Sequence, residues 1–104
     1  MTELEAMALS WALELPVALV VTRRRDLRFA LCVVAGTILT HPGVWWIGTH
    51  LPFSWWWPGI CATEAAVGVV EGLLLWRLVP LSFKQGLVCG VLMNAFSFGV
   101  GLLL

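Results

Sequence analysis

The sequence predicts an all-α, polytopic membrane protein in which four helices form one bundle. Three observations predict this class. Of the 104 residues, 61% are hydrophobic and only 12% are charged, whereas soluble domains carry about 25% charged residues. Four apolar stretches each approach the roughly 20 residues of helix that cross a bilayer. Seven Trp and no Tyr suit a lipid interface. This composition excludes a soluble enzyme.

The four apolar stretches are predicted to be the membrane-spanning helices of a single domain, 1–104. They cover about residues 5–22, 27–48, 59–79 and 85–104. Three charged or Pro/Trp-rich breaks separate them, at about residues 23–26, 49–58 and 80–84. Backbone groups in lipid must be hydrogen-bonded within the segment, which favours helices. The first stretch lacks the pattern of a signal peptide because its basic residues follow the apolar run, so we expect it to be retained.

The basic residues predict the orientation of the chain in a bacterial inner (plasma) membrane. All of them lie in or beside the first and third breaks: Arg23, Arg24, Arg25, Arg28, Arg77 and Lys84. The positive-inside rule assigns these two loops to the cytoplasm. Both termini and the loop at about 49–58 are then expected outside. Six tryptophans are predicted interfacial anchors, with a ligand platform as the less favoured role: Trp45, Trp46, Trp55, Trp56, Trp57 and Trp76.

The orientation makes helices 1–2 and helices 3–4 two similar hairpins. Sliding the sequence on itself by 57 residues aligns rare polar residues of the two halves. The aligned pairs are Glu14 with Glu71, Thr37 with Asn94, and Thr40 with Ser97. We therefore predict a parallel repeat related by an axis along the membrane normal.

Three acidic residues, Glu14, Glu64 and Glu71, lie inside apolar stretches. An ionisable residue at mid-bilayer costs about 2.5–3.5 kcal/mol on insertion scales, and such residues usually face a protein interior. Candidate hydrogen-bond partners lie on helices 2 and 4: Thr37, Thr40, Asn94 and Ser97. One interpretation is polar glue joining helix 1 to helix 2 and helix 3 to helix 4, at about 0.6 kcal/mol per contact. The alternative is a proton or ion relay.

Glycine spacing indicates close helix packing in the second hairpin. Gly68 and Gly72 form one G-x-x-x-G motif, and Gly86 and Gly90 form another. Such motifs let helix backbones approach closely in membranes.

The sequence predicts no metal, no cofactor and no enzymatic activity. His41, His50 and Glu64 are residue types that can hold zinc, but their spacing matches no metal motif, and a His41–Glu64 hydrogen bond is favoured instead. The three Cys lack C-x-x-C spacing, and no nucleotide-binding or hydrolase motif is present. A formal net charge of zero gives no reason to expect a nucleic-acid partner.

One stretch carries a family resemblance. Thr40, His41 and Pro42 are followed by Trp45, with Glu14 before them and an acid and an Asn in the second hairpin. This arrangement resembles a family of short uncharacterised bacterial four-helix membrane proteins. That family has a Thr-His-Pro-x-x-Trp stretch in helix 2 and intramembrane acids in helices 1 and 3. The resemblance implies the fold and topology but no activity. Asn is common in that family where this chain has Thr37.

The function expected first is a non-catalytic subunit or scaffold of a membrane assembly, docking other helices through its glycine and carboxyl faces. The alternative is a homo-oligomeric channel or proton/cation-coupled transporter that uses midplane carboxyls. A metal- or cofactor-binding membrane protein is the second alternative. Besides the lipid bilayer, we expect a homo-oligomer or a larger membrane-protein complex, because the acids lack cationic partners within the chain.

Overall fold

The computed structural model describes residues 2–103 and consists of four long α-helices with one short 3-10 turn at Phe53–Trp55. The helices are α1 Glu3–Thr22, α2 Leu27–His50, α3 Trp56–Leu78 and α4 Phe83–Leu103. All four are long and apolar enough to cross a membrane, which confirms the all-α, multi-pass class. The fourth helix was predicted to reach Leu104, which lies outside the described residues.

Helix boundaries differ slightly from the predicted ones, and the caps explain why. The predicted loop extended to Pro58, yet α3 begins at Trp56. Proline is tolerated in a first helical turn, where the amide hydrogens have no intrahelical partner. In α4, Ser82 and Gln85 form a reciprocal pair: the Gln85 N–H donates to Ser82 Oγ and the Ser82 N–H to Gln85 Oε1, each at 3.1 Å. This capping box starts the helix at Phe83, two residues early.

The turn between α1 and α2 is organised by Asp26. Its carboxylate accepts the Phe29 N–H at 3.2 Å and so caps α2. The Arg24 guanidinium donates to the same carboxylate at 3.1 Å, and this bond holds the pKa of Asp26 below its usual range. Arg23 ends α1 in the left-handed region, at φ 57°. The basic loop is thus an ordered turn.

The helices pack in cyclic order, α1 against α2, α2 against α3, α3 against α4 and α4 against α1. Within residues 2–103, neither diagonal pair of helices brings Cα atoms within 8 Å of each other. The bundle measures 41 × 24 × 21 Å, and its length is close to the 40–45 Å of a bilayer with its headgroups. One end, the Arg-rich end, carries the α1–α2 and α3–α4 connections. The opposite end, the Trp-rich end, carries the α2–α3 connection.

Four glycines bring α3 and α4 into backbone contact. A Cβ added at Gly90 would lie 2.5 Å from the Gly68 carbonyl oxygen, and one at Gly72 would lie 2.8 Å from the Cα of Leu87. The motifs Gly68/Gly72 and Gly86/Gly90 therefore face each other within one chain. The close packing that their spacing predicts is present, and it lies inside the bundle.

The apolar core fills the half of the bundle next to the Arg-rich end. It consists of seven residues that are at most 3% exposed: Ala18, Phe29, Val33, Leu75, Val79, Cys89 and Met93. All four helices or their ends contribute to it. We call this cluster the apolar plug, because its buried side chains are all apolar.

The two hairpins pack differently. At the predicted repeat offset, Gly72 and Gly90 of the second hairpin correspond to Leu15 and Val33 of the first. Side chains therefore separate α1 from α2 where backbone touches backbone in α3 and α4. The parallel repeat stays a prediction, and its two halves are not equivalent in packing.

Candidate functional site

A cavity of about 450 Å³ lies between the four helices on the Trp-rich side of the apolar plug. Every polar residue that was predicted to lie inside the membrane lines this cavity. Its polar lining is Ser10, Glu14, Thr37, Thr40, His41, Glu64, Glu71, Asn94 and Ser97, with no Lys or Arg. Ser10 was not predicted, although it lies four residues before Glu14 and so on the same face of α1.

Glu14 is bound by a hydroxyl on the neighbouring helix. The Thr37 hydroxyl donates to Glu14 Oε2 at 2.7 Å and lies 3.3 Å from the Val33 carbonyl oxygen. Glu14 is only 3% exposed, and Thr37 is also buried. This contact joins α1 to α2, in the hairpin where polar glue was expected.

Glu71 is bound in the same way, but by the other hairpin. The Thr40 hydroxyl donates to Glu71 Oε1 at 2.9 Å and lies at the same distance from the Gly36 carbonyl oxygen. Thr37 and Thr40 are three residues apart, about 4.5 Å along the axis of α2. One face of α2 therefore holds the carboxyls of α1 and α3 close together.

The third carboxyl, Glu64, is bound by Asn94, the residue that the repeat offset aligns with Thr37. Asn94 Nδ2 donates to Glu64 Oε2 at 2.9 Å and to the Glu64 backbone oxygen at 2.5 Å. Helices α3 and α4 are thus joined through Glu64, and Glu71 reaches across to α2. Ser97 lines the cavity without bonding any of the three carboxyls.

Two buried polar side-chain atoms of the lining have no hydrogen-bond partner among residues 2–103: Glu71 Oε2 and His41 Nδ1. Glu71 is 2% exposed. A buried carboxylate oxygen without a partner is costly and calls for a specific explanation, such as a water, an ion or a ligand. These two atoms are the buried positions of the lining where such an explanation is needed.

The expected His41–Glu64 hydrogen bond is not formed, and this prediction is wrong. Asn94 already occupies Glu64 Oε2, while the His41 ring stacks on Trp45 with centroids 6.2 Å apart. His50 lies at the Trp-rich end, where its Nδ1 is 2.7 Å from the Trp46 carbonyl oxygen. Within residues 2–103, no three His, Cys, Asp or Glu side chains are grouped so that they could hold a metal ion.

Five of the six predicted tryptophan anchors divide into two groups, and the sixth, Trp76, is 37% exposed near the Arg-rich end. Trp46, Trp55 and Trp57 are more than half exposed, as expected for side chains at a lipid interface. Trp45 and Trp56 instead line the cavity, and the Trp56 indole N–H donates to the Gly48 carbonyl oxygen at 3.0 Å. Two of the six therefore form part of the candidate site.

A comparison with known protein families, curated proteins and solved structures found no match.

Proposed function

We propose that this chain is a proton/cation-coupled membrane transporter in which Glu14 and Glu71 exchange a proton for a cation. One observation carries the proposal: each of these carboxyls is paired with a Thr hydroxyl that also reaches a backbone carbonyl. Both pairs line a single cavity that contains no Lys or Arg.

The Thr hydroxyl accommodates both forms of the carboxyl. When Glu71 is ionised, the Thr40 O–H donates to its Oε1. When Glu71 is protonated, its own O–H donates to Thr40 Oγ1, and the Thr40 hydrogen turns to the Gly36 carbonyl oxygen at 2.9 Å. A hydroxyl both donates and accepts, so neither state leaves this pair unsatisfied. Thr37 serves Glu14 in the same way through the Val33 carbonyl.

A cation supplies the charge that the chain itself does not. An ionised carboxyl in a low-dielectric interior is costly unless it is paired, and no basic residue lines the cavity. A bound cation therefore stabilises the ionised state, and a proton that displaces it restores the neutral state. Since buried apolar side chains fill the half of the bundle next to the Arg-rich end, we favour a transporter that changes conformation over a permanently open channel.

The same contacts give less support to the scaffold function that was expected first. Docking through glycine faces requires those faces on the lipid side, but Gly72 and Gly90 pack within the chain. The carboxyl faces point into the cavity. Helix docking would have to use glycines outside this packing, such as Gly43 and Gly99, or apolar surfaces.

Replacing Glu71 with Gln is expected to abolish coupled proton movement. The amide keeps the size and hydrogen bonding of the carboxyl but cannot release a proton. The measurement is the internal pH of protein-containing liposomes after a gradient of sodium, potassium or an organic ammonium cation is imposed. The rate for Glu71→Gln should fall to that of protein-free liposomes.

The matched control is Glu3→Gln, the same chemical change on α1 at a position outside the cavity lining. This variant should retain the wild-type rate. A Glu71→Gln protein that keeps its helical content and still moves protons at the wild-type rate would refute the proposed function.

We also propose that the Trp-rich end faces the outside of a bacterial inner membrane, because the basic residues cluster at the opposite end. A C-terminal epitope tag should then be reached by antibody on intact spheroplasts. A tag inserted in the α3–α4 connection, at residues 79–82, should be reached only after permeabilisation. The reverse pattern would overturn this orientation.

A further inference from the structure

The proposed function does not specify which cation occupies the cavity. Apart from its polar residues, the cavity has apolar walls. Most of the remaining lining is aliphatic or aromatic: Leu9, Leu13, Val44, Trp45, Trp56, Val67, Phe98 and Leu102. A volume of about 450 Å³ lies within the range of about 300–1,000 Å³ typical of pockets for small organic molecules. The cavity is larger and more apolar than one metal ion requires.

A bare divalent metal ion is a poor match for this site. Calcium and magnesium need several oxygen ligands, carboxylates among them, around one point. Among residues 2–103 the acidic and imidazole groups do not converge in that manner. An organic cation needs only one carboxylate near its charge, and aromatic faces such as Trp45 and Trp56 attract quaternary ammonium groups.

Glu71 provides the specific acceptor for such a cation. Its side chain is almost fully buried and lines the cavity, and its Oε2 has no partner among the described residues. The other oxygen is held by Thr40, which fixes the carboxyl in place. Glu14 and Glu64 each have an oxygen bonded by a neighbouring helix, and Glu71 alone has a buried, unpartnered oxygen.

A groove on the lipid side of α2 and α3 adjoins the cavity. Its lining is apolar except for two threonines, and small residues such as Gly43, Ala62 and Ala66 keep it open. A Cβ at Gly43 would have no neighbour within 4 Å. The groove and the cavity share three lining residues, Thr40, Val44 and Val67. One layer of side chains therefore separates the bilayer from the carboxyls.

We propose that the cavity binds a lipophilic organic cation, an ammonium-type charge on an apolar or aromatic body, which reaches Glu71 from the bilayer between α2 and α3. This inference rests on the proposed function and names the cation that it requires. The charge lies against Glu71 Oε2, and the apolar body lies against the aliphatic and aromatic walls.

The test is the binding of benzyltrimethylammonium to the purified protein in detergent, followed by Trp fluorescence. Its neutral isostere neopentylbenzene, in which carbon replaces the nitrogen, is the matched ligand. The cation should bind saturably and the isostere about tenfold more weakly or worse, because the positive charge that faces the Glu71 carboxylate is lost. Glu71→Gln should weaken cation binding to a similar extent, whereas Glu71→Asp and Glu3→Gln should bind it.

The association rate is tested with Gly43→Leu. This substitution narrows the groove at a residue that does not line the cavity. Association of the cation should slow, and its equilibrium affinity should not change. An unchanged association rate would overturn the route between α2 and α3.

The remaining outcomes separate this inference from the proposed function. Equal binding of cation and isostere, or equal binding by wild type and Glu71→Gln, would overturn the organic-cation site. No binding together with Glu71-dependent proton movement would overturn it while leaving the proposed function intact. Glu71-dependent binding without any proton movement would support the site and refute transport.

Discussion

Replacing Gly90 with Ala is expected to separate α3 from α4 and to destabilise the whole bundle. The added Cβ would lie 2.5 Å from both the Gly68 carbonyl oxygen and the Cα of Gly72. These are backbone atoms, so no side-chain rotation relieves the overlap. Overpacking against a well-packed core typically costs about 1–3 kcal/mol, and we expect the upper end of that range. The measurement is the free energy of unfolding in mixed micelles, followed by loss of helical signal.

Gly99→Ala is the matched control, because it makes the same change in the same helix at a position with no neighbour within 4 Å of the added Cβ. Alanine has the higher helix propensity by about 1 kcal/mol, so this variant should be as stable as the wild type or slightly more stable. If Gly90→Ala and Gly99→Ala unfolded at the same denaturant activity, backbone contact between α3 and α4 would not hold the second hairpin together.

The close packing of α3 against α4 also explains a limit of the sequence analysis. The residues of the site could be predicted from the sequence, but not all of their hydrogen-bond partners. Glu14, Glu64 and Glu71 stand out because ionisable residues are rare in lipid and turn toward a protein interior. Their number and approximate depth can therefore be predicted from the sequence. The partner of each carboxyl depends on how far apart the helices lie and how each is rotated, which hydropathy does not record.

The repeat offset illustrates this limit. It aligns Glu71 with Glu14 and Asn94 with Thr37, but it does not say which hydrogen bonds form. The first hairpin has Leu15 and Val33 where the second has glycines, so α3 and α4 lie closer together than α1 and α2. In the closer pair, Asn94 bonds Glu64 instead, and Glu71 turns to α2. A repeat seen in polar residues alone does not report this difference.

Adjacent tryptophans show the same limit on a smaller scale. Trp45 and Trp46 were both predicted to be interfacial anchors, because both lie near the Trp-rich end. Successive residues of a helix point about 100° apart. Trp45 therefore lines the cavity, while Trp46 is 61% exposed. Composition locates the interface, and only the rotation of α2 assigns each ring to lipid or cavity.

Replacing Phe29 with Ala is expected to open the apolar plug and to turn coupled exchange into a leak. Phe29 is fully buried and is among the largest side chains of the plug. Removing the ring leaves a void between the cavity and the Arg-rich end, at a cost in stability of about 3–5 kcal/mol if the site does not collapse. When a pH gradient is imposed on liposomes without a cation gradient, passive proton flux should rise well above the wild-type rate.

The lipid-facing variant Phe96→Ala is the control for losing an aromatic ring, because Phe96 is 48% exposed on α4. It should leave the proton flux unchanged. The double variant Phe29→Ala/Glu71→Gln then separates a leak from coupled exchange. A leak through an opened plug does not require Glu71, so the double variant should conduct like Phe29→Ala. Loss of flux in the double variant would mean that protons still pass through the carboxyl. The barrier to transport would then lie at Glu71, and the plug would serve only to hold the helices together.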